Sequence, residues 1–293
     1  DRHWIRQGVV EMAGGPTVRA RRLRRELKRL RNNAGLNVDD AGRRAGLSGP
    51  TISRIESGKR GMTVDEVEKL LDTYQVPVPQ QREYLEMAER AADRGWWQAY
   101  GSALTDATQT QIALEEDATT ITNFEPVVVP GLLQTAAYAR AVISTAVLDV
   151  TPRQVEAKVA ARMARQAILT KPDPPQLVTL LDEAVLHREV GGRAVMARQL
   201  RQLIEATTTQ PNVTVQVIPF TAGAHAATEG SFAIIEFGME PGAVLLEGKT
   251  ADLFLEEPEE IAAYQDTASR LQRSALGADN TVALIEQALR EMT

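Results

Sequence analysis

Three side chains, those of Thr51, Ser53 and Arg54, face outward from one side of a short predicted helix. The guanidinium of Arg54 has the geometry to donate two hydrogen bonds to the O6 and N7 atoms of a guanine. Ile52 and Ile55 fall on the opposite side of the same helix, where they can enter a small core. This pattern predicts a helix that packs on one side and reads a nucleic acid with the other.

The residues before this helix predict the turn that positions it. Asn37 can cap a first helix, and Asp40, three residues later, completes a pair like a capping box. Gly46 supplies the turn, and Ser48 caps a second helix that runs to Gly58. Two short helices joined in this way form a helix-turn-helix, in which the second helix enters the major groove of DNA.

The flanking residues extend the pattern to a whole domain, with a first helix predicted over Val18–Asn33 and a fourth over Val64–Tyr74. Residues 17–75 resemble an Xre-type helix-turn-helix domain, the five-helix fold of the lambdoid phage repressors. The resemblance implies an ion pair between Arg31, near the end of the first helix, and Glu56, at the end of the recognition helix. We expect this pair to stabilise the fold rather than to contact DNA.

The same resemblance implies which residues contact DNA. Base contacts fall on Gly49, Pro50 and Arg54, of which Arg54 is the strongest candidate because Pro50 offers only an apolar contact. Gly49 and Pro50 depart from the glutamine or arginine often found there, which weakens direct readout at those points. The predicted interface, on and beside the helix Ser48–Ser57, comprises Ser48, Gly49, Pro50, Thr51, Ser53 and Arg54, with Asn37, Lys59 and Arg60 as phosphate contacts.

The distribution of charge supports an interface with nucleic acid at one end of the chain. Residues 1–62 contain 15 Lys and Arg against 6 Asp and Glu, although the whole chain carries a net charge of −6. A basic segment on an acidic protein is expected when only that segment meets phosphate groups. One domain of about 60 residues makes few base contacts, so we expect a homodimer on double-stranded DNA.

Composition excludes several classes of site. The chain has no cysteine, which rules out disulfides, cysteine zinc sites and thiol nucleophiles, and its three histidines lie far apart in the sequence. There is no Gly-rich phosphate loop, no apolar run long enough for a membrane span and no signal peptide. We therefore expect a cytoplasmic protein without metal or cofactor.

A second resemblance covers residues 111–291. It is carried by the string from Thr122 to Ala141 and by the later segments Ala161–Gln166, Leu181–Leu186, Gly223–His225 and Gly230–Phe232. These residues resemble the uncharacterised domain that follows the helix-turn-helix in many actinomycete Xre regulators, including the WhiJ-like developmental proteins. The resemblance implies a regulator that is often encoded beside a small partner protein, with no established ligand or catalytic activity.

The pattern of the second half predicts mixed α and β structure. We expect a multi-domain chain, with an all-α N-terminal domain and an α+β C-terminal domain whose small sheet has helices on one face. The predicted strands are Gln176–Leu186, Val213–Ile218, Phe232–Phe237 and Ala243–Leu246, with a turn at Glu240–Gly242 before the last of them. The predicted divisions are a disordered tail over 1–16, the helix-turn-helix domain over 17–78, a helical linker over 79–110 and a regulatory or partner-binding domain over 111–293.

Few residues of the C-terminal half suggest chemistry. A Ser-His-acid triad could be drawn from Ser231, His225 and Asp182, but no serine of the chain sits in a Gly-x-Ser-x-Gly turn. A structural histidine is the preferred role for His225, with a ligand gate as the alternative. Trp96 and Trp97 are predicted to dock the two domains or to cover a ligand pocket. We expect no enzymatic activity.

Three functions remain open on the sequence alone. The first is a sequence-specific transcriptional regulator whose C-terminal domain senses a ligand, dimerises or binds a partner. The second is an antitoxin-like component of a two-protein module, which binds a small partner protein and autoregulates its operon. The third is an enzyme with a DNA-binding head. The first is favoured because the helix-turn-helix pattern is strong and the catalytic one is weak.

Overall fold

The structure, a computed structural model, describes residues 18–92, 96–146, 151–238, 240–249 and 251–292. The chain divides into two compact units, residues 1–98 and residues 99–293. The tail predicted over residues 1–16 lies outside the described residues. Of the helices in the described part of the chain, none is long and apolar enough to span a membrane.

The first unit is helical. The α-helices in its described part are α1 (Val18–Asn33), α2 (Val38–Ala45), α3 (Gly49–Glu56), α4 (Val64–Thr73) and α5 (Val78–Ala92). The start of α4 is fixed by a full capping box, in which Thr63 accepts a hydrogen bond from the Glu66 amide and the Glu66 carboxylate accepts one from the Thr63 amide. These helices confirm the predicted all-α N-terminal region.

One apolar core joins these helices, and α3 contributes Ile52 from its middle. It contains Leu23 and Leu27 of α1, Ile52 of α3 and Leu70 of α4. Helix α5 also belongs to this core, because Tyr84 and Ala88 are buried in it and the Tyr84 hydroxyl bonds to Glu26 of α1. The helical unit therefore extends past residue 78, where the sequence predicted a linker to begin.

The second unit is an α+β fold built on a six-stranded mixed sheet. Its strands are β1 (Thr120–Glu125), β2 (Gln176–Asp182), β3 (Val213–Ile218), β4 (Phe232–Phe237), β5 (Glu240–Leu246) and β6 (Leu253–Leu255). The spatial order is β3-β2-β1-β4-β5-β6, with β1, β2 and β3 parallel and the rest antiparallel. The α-helices are α6 (Asp106–Asp117), α7 (Ala136–Ala146), α8 (Pro152–Arg165), α9 (Ala184–His187), α10 (Arg193–Thr209), α11 (Pro258–Ser274) and α12 (Ala278–Met292).

Helices lie over both faces of this sheet. On one face, Phe124 of β1 and Ile234 of β4 pack against Leu271 of α11 in an apolar cluster. Because side chains alternate along a strand, Ile121, Asn123 and Glu125 point to the other face. There they meet α6 and the end of α8. The prediction that helices cover one face only was therefore wrong.

Several strand boundaries differ from those predicted. β2 ends at Asp182, because the Asp182 carboxylate accepts a hydrogen bond from the Ala184 amide and so starts the short helix α9. The predicted turn at Glu240–Gly242 lies inside β5, and the turn before it uses Gly238, with φ of 59°. The sequence missed β1, at the centre of the sheet, and the short strand β6.

Candidate nucleic-acid interface

The start of α2 is fixed by Asn37. Its Oδ1 accepts a hydrogen bond from the Asp40 amide at 2.8 Å, the geometry of an N-cap. The Asp40 carboxylate pairs with Arg43 instead of returning to the cap, so the capping box expected there is not completed. Asn37 is exposed, and its cap uses only the carbonyl oxygen of its side chain.

The turn between α2 and α3 depends on glycine at three positions. Gly46 ends α2 in the left-handed conformation, with φ of 69°, which glycine adopts without steric cost. Gly42 lies so close to the turn that a Cβ there would approach the Gly49 nitrogen to 2.8 Å and the Leu47 oxygen to 2.9 Å. A Cβ on Gly49 would meet Asp39 Oδ1 at 1.9 Å. The contact at Gly42 is with backbone atoms of the turn, so a side chain there would displace the turn, whereas the exposed Asp39 side chain can move away from Gly49.

The start of α3 is fixed by Ser48. Its Oγ accepts a hydrogen bond from the Thr51 amide at 3.2 Å and lies 2.8 Å from the Thr51 Oγ1. Pro50 sits in the first turn, where its missing N–H leaves no bond unmade. Ser48 and Pro50 are exposed, Thr51 is half-buried, and Gly49 is buried. Gly49 therefore contributes less surface than its neighbours.

The outer side of α3 carries the polar groups that the sequence predicted to face outward. Ser53 and Arg54 are exposed, whereas Ile52 and Ile55 are buried. The Arg54 Nε donates a hydrogen bond to the Pro50 carbonyl oxygen at 3.2 Å, one turn back along the helix. This bond holds the side chain along the helix and leaves both terminal nitrogens of the guanidinium available for an acceptor.

Lys59 and Arg60 follow the recognition helix and are both exposed. Arg60 Nη1 donates a hydrogen bond to Glu66 Oε1 at 2.8 Å, so its charge is partly balanced within the protein. Lys59 thus offers the more complete positive charge to a phosphate. The arrangement brings both residues to the C-terminal end of α3.

Arg31 and Glu56 form the ion pair that the resemblance implied. Arg31 Nε lies 2.7 Å from Glu56 Oε1, its second terminal nitrogen lies 2.9 Å from Oε2, and its first terminal nitrogen donates to the Leu36 carbonyl at 2.7 Å. Each side chain is only 9% exposed. The hydrogen bond to Glu56 raises the pKa of Arg31. This pair ties α1 to the end of α3 and faces away from solvent.

The C-terminal candidates have different surroundings. The His225 Nδ1 accepts a hydrogen bond from the Ala227 amide at 3.3 Å, and its Nε2 lies 3.5 Å from Asp182 Oδ2. The ring also packs edge-on against Phe124. Both nitrogens are thus engaged, and neither is left to take a proton from Ser231. The geometry gives no support to a Ser-His-acid triad here.

Trp96 and Trp97 form an edge-to-face pair with ring centroids 6.0 Å apart. Trp97 is buried and Trp96 is half-buried. Both tryptophans belong to the first unit, residues 1–98, whereas His225 belongs to the second. Their predicted role in docking the domains or covering a pocket stays a prediction.

Sequence reasoning missed two residues that shape the interface. Gly42 leaves room for the backbone of the turn, and the Asp39 side chain lies beside Gly49 at the start of α3. A glycine in the middle of a predicted helix was the available signal, because glycine there is otherwise unfavourable.

Comparison with known families agrees with this geometry. Residues 22–85 match a family described as a helix-turn-helix domain, and this range includes α5 down to Leu85. Residues 108–287, more than half of the chain, match a family described as a domain of unknown function (DUF5753). Comparison with curated proteins and with solved structures gave no match.

Proposed function

We propose that this chain, which belongs to the family defined by a domain of unknown function (DUF5753), is a sequence-specific transcriptional regulator of the Xre type. The helix-turn-helix domain itself suggests a DNA-binding regulator. The observation that carries the finer proposal is the exposed side of α3, where the two terminal guanidinium nitrogens of Arg54 have no hydrogen-bond partner among the described residues and lie beside Ser53 and Pro50. In this proposal, α3 enters the major groove and Arg54 reads a guanine.

The remaining contacts position the domain on the phosphate backbone. Lys59 supports this role because it is exposed at the end of α3. Asn37 and Ser48 present their polar side chains at the N-termini of α2 and α3, where backbone amides also favour phosphate. Such contacts bind every sequence alike, so Arg54 carries most of the discrimination.

We further propose that the regulator acts as a homodimer. One α3 reads only a few base pairs, and two copies on a repeated half-site double the number of base contacts. The acidic C-terminal unit is the proposed seat of dimerisation or of binding to a partner, because it is the larger unit and carries no basic surface segment comparable with α1.

The test is the selection of bound sites from a random duplex library, with the full-length protein and Arg54→Ala in parallel. We expect two half-sites in the selected sequence and the loss of one preferred base pair per half-site in Arg54→Ala, with discrimination reduced by about 1–3 kcal/mol. Arg201→Ala, which removes an exposed arginine from α10, is the matched control and should select the same sites as the wild type. An unchanged preference in Arg54→Ala would remove α3 from the base-reading role.

Lys59→Ala separates phosphate binding from base readout. Because Lys59 is proposed to contact phosphate, its loss should weaken all sequences equally and reduce the salt dependence of binding by about one counterion. The measurement is fluorescence anisotropy with a selected and a scrambled duplex over a range of salt concentrations. A change in sequence preference would instead assign Lys59 to the bases.

A further inference from the structure

The C-terminal unit contains a cleft on the face of the sheet opposite α11. The cleft is narrow and opens to solvent, with about 30 Å³ available to the centres of water-sized groups. Its polar lining comes from α6, β1, α8 and the residues just before β4 and just after β5, and comprises Gln111, Glu115, Asn123, Glu125, Arg165, Ser231 and Glu247. No role for these residues follows from the DNA-binding domain.

One ion pair of the cleft is complete in itself. Arg165 donates to both oxygens of Glu115, with its Nε 2.5 Å from Oε2 and its second terminal nitrogen 2.7 Å from Oε1. Both side chains are at least nine-tenths buried. Gln111, also buried, donates a hydrogen bond to Glu115 Oε1 at 3.2 Å. Arg165 and Glu115 therefore neutralise each other and form one fixed wall of the cleft.

Asn123 points into the same cleft with an unused acceptor. The residue is 7% exposed, and its Oδ1 has no hydrogen-bond partner among the described residues. Thr179, its register partner on β2, is fully buried, and within the described part of the chain its hydroxyl is unpaired as well. An unpaired buried polar group lowers stability by about 1–3 kcal/mol, so such groups are typical of sites that a ligand or water completes.

The carboxylates at the mouth exceed the available cations. Glu125 projects from β1 on the same face as Asn123, two residues further along. Burial and the nearby negative charge of Glu247 raise the pKa of Glu125 to about 8, and the positive charge of Arg162 on α8 opposes that shift only partly. Arg162 itself is held by Gln134, to which it donates a hydrogen bond at 2.9 Å.

We propose that this cleft binds a small organic cation with N–H donors, such as the primary ammonium group of an alkylamine. The ammonium group would donate to Asn123 Oδ1 and to the Glu125 carboxylate, with Glu247 at the rim. An anion is disfavoured, because Arg165 is already paired with Glu115 and the other ionisable groups of the lining, Glu125 and Glu247, are carboxyl groups. The proposal does not rest on DNA binding, although a bound amine would give the proposed regulator its signal.

The first experiment is calorimetric titration of the full-length protein with four probes of similar size. These are n-butylammonium, n-butanol, butyrate and tetramethylammonium, at constant ionic strength. We expect n-butylammonium alone to bind, because it combines a positive charge with N–H donors. Binding of butyrate or equal binding of n-butanol would overturn the proposal. Equal binding of tetramethylammonium would overturn the role of the hydrogen-bond acceptors.

Two variants locate the binding in the cleft. Glu125→Gln removes the carboxylate and should weaken n-butylammonium at least tenfold. Asn123→Leu removes the acceptor with little change in volume and should weaken binding to a similar extent. It should also raise the melting temperature of the ligand-free protein, because it removes an unpaired polar group. Glu205→Gln makes the same change as Glu125→Gln at an exposed position on α10 and should leave binding unchanged.

The pH dependence of amine affinity separates a ligand contact by Glu125 from a purely structural role, because a structural role would not change the affinity with pH. The pKa of Glu125, about 8, is raised by burial and by Glu247 and lowered by Arg162, and Glu115 and Arg165 line the same cleft, so the carboxyl group holds a proton at pH 7. Binding of an ammonium favours the carboxylate, so a proton is released. Affinity should therefore rise severalfold between pH 6.5 and 8.5. Titration at pH 7 in two buffers of different ionisation enthalpy should show this release, and Glu125→Gln should abolish it.

The two proposals fail separately. DNA-site selection uses the helical unit and Arg54, whereas amine titration uses Glu125 and Asn123. A protein that selects DNA sites but binds no amine overturns the cleft proposal alone. A protein that binds n-butylammonium in the cleft but selects no DNA site overturns the regulator proposal alone.

Discussion

The two units of the chain each bury an arginine–glutamate pair, but they surround it differently. In the helical unit, Arg31 donates hydrogen bonds to both carboxylate oxygens of Glu56 and to the Leu36 carbonyl oxygen. In the α/β unit, the Arg165–Glu115 pair lies beside Glu125 and beside the unpaired oxygen of Asn123. The buried Tyr74 hydroxyl near the first pair also has no hydrogen-bond partner among the described residues, so the two arrangements differ in charge. We call the first closed because both of its charges are paired, and the second open because Glu125 and Glu247 lie beside a pair that is already complete.

The causes of the pKa shifts of Arg31 and Glu115 also differ between the two pairs. The hydrogen bond that Arg31 donates to Glu56 has the largest effect on the pKa of Arg31 and raises it, so the pair favours the charged guanidinium. For Glu115, burial is the largest effect and raises its pKa, with Arg165 opposing it. A closed pair stabilises the fold, whereas the unpaired groups of an open cluster lower the free energy of unfolding. We interpret that loss of stability as the mark of a binding site.

The largest expected effect breaks the closed pair. Arg31→Ala leaves the Glu56 carboxylate and the Leu36 carbonyl without their donor, so it should lower the free energy of unfolding by about 3 kcal/mol. The measurement is urea unfolding of the full chain, followed by far-UV circular dichroism. The double variant Arg31→Met, Glu56→Leu is the control, because it removes both charges and should recover most of the loss. A loss below about 1 kcal/mol in Arg31→Ala would contradict the structural role.

The second prediction tests the close contact within the helix-turn-helix. Gly42→Ala would normally stabilise a helix by up to about 1 kcal/mol, but here the new Cβ would press on backbone atoms of the turn. We therefore expect a net destabilisation of about 1–3 kcal/mol in urea unfolding. Gly277→Ala, where a Cβ meets open space, should change stability by less than about 0.5 kcal/mol. A stabilised Gly42→Ala would show that the turn adapts.

The third prediction tests the open cluster through pH. The folded-state pKa of Glu125 is raised to about 8 from a model-compound value of 4.5, so the folded protein holds a proton that the unfolded chain loses. Stability should therefore fall as pH rises between 4.5 and 8. Glu125→Gln stays neutral and should be more stable than the wild type at pH 9, by about 1–2 kcal/mol after allowance for solvent screening. Chemical unfolding at pH 5 and pH 9 measures the difference, and equal pH profiles would contradict it.

The helical unit was largely predictable because its signals are local. Asn37, Ser48 and Thr63 cap helices through bonds to residues three positions away, and Gly46 ends one through its own backbone conformation. The helix-turn-helix match confirms the resulting domain type. The exception was α5, whose docking through Tyr84 depends on tertiary contacts that the helical pattern alone does not reveal.

The α/β unit was less predictable because its centre is built from distant segments. β1 pairs with β2 and β4, whose residues lie about fifty or more positions further along the chain. Its sequence, with three polar residues in Thr120–Asn123, does not resemble a central strand until those neighbours cover it. The cleft was missed for the same reason: Asn123 and Arg165 come together only through the fold.

The smallest expected effect concerns an exposed ion pair, which serves as the comparison for the two buried pairs. Arg270 and Asp266 of α11 lie 2.8 Å apart, and both side chains are more than half exposed. Water already solvates both charges, so Arg270→Ala should change the free energy of unfolding by less than about 0.5 kcal/mol. Urea unfolding at low and high salt measures this, beside Arg31→Ala. If Arg270→Ala cost as much as Arg31→Ala, burial would not be what distinguishes the pairs, and the contrast between closed and open clusters would lose its physical basis.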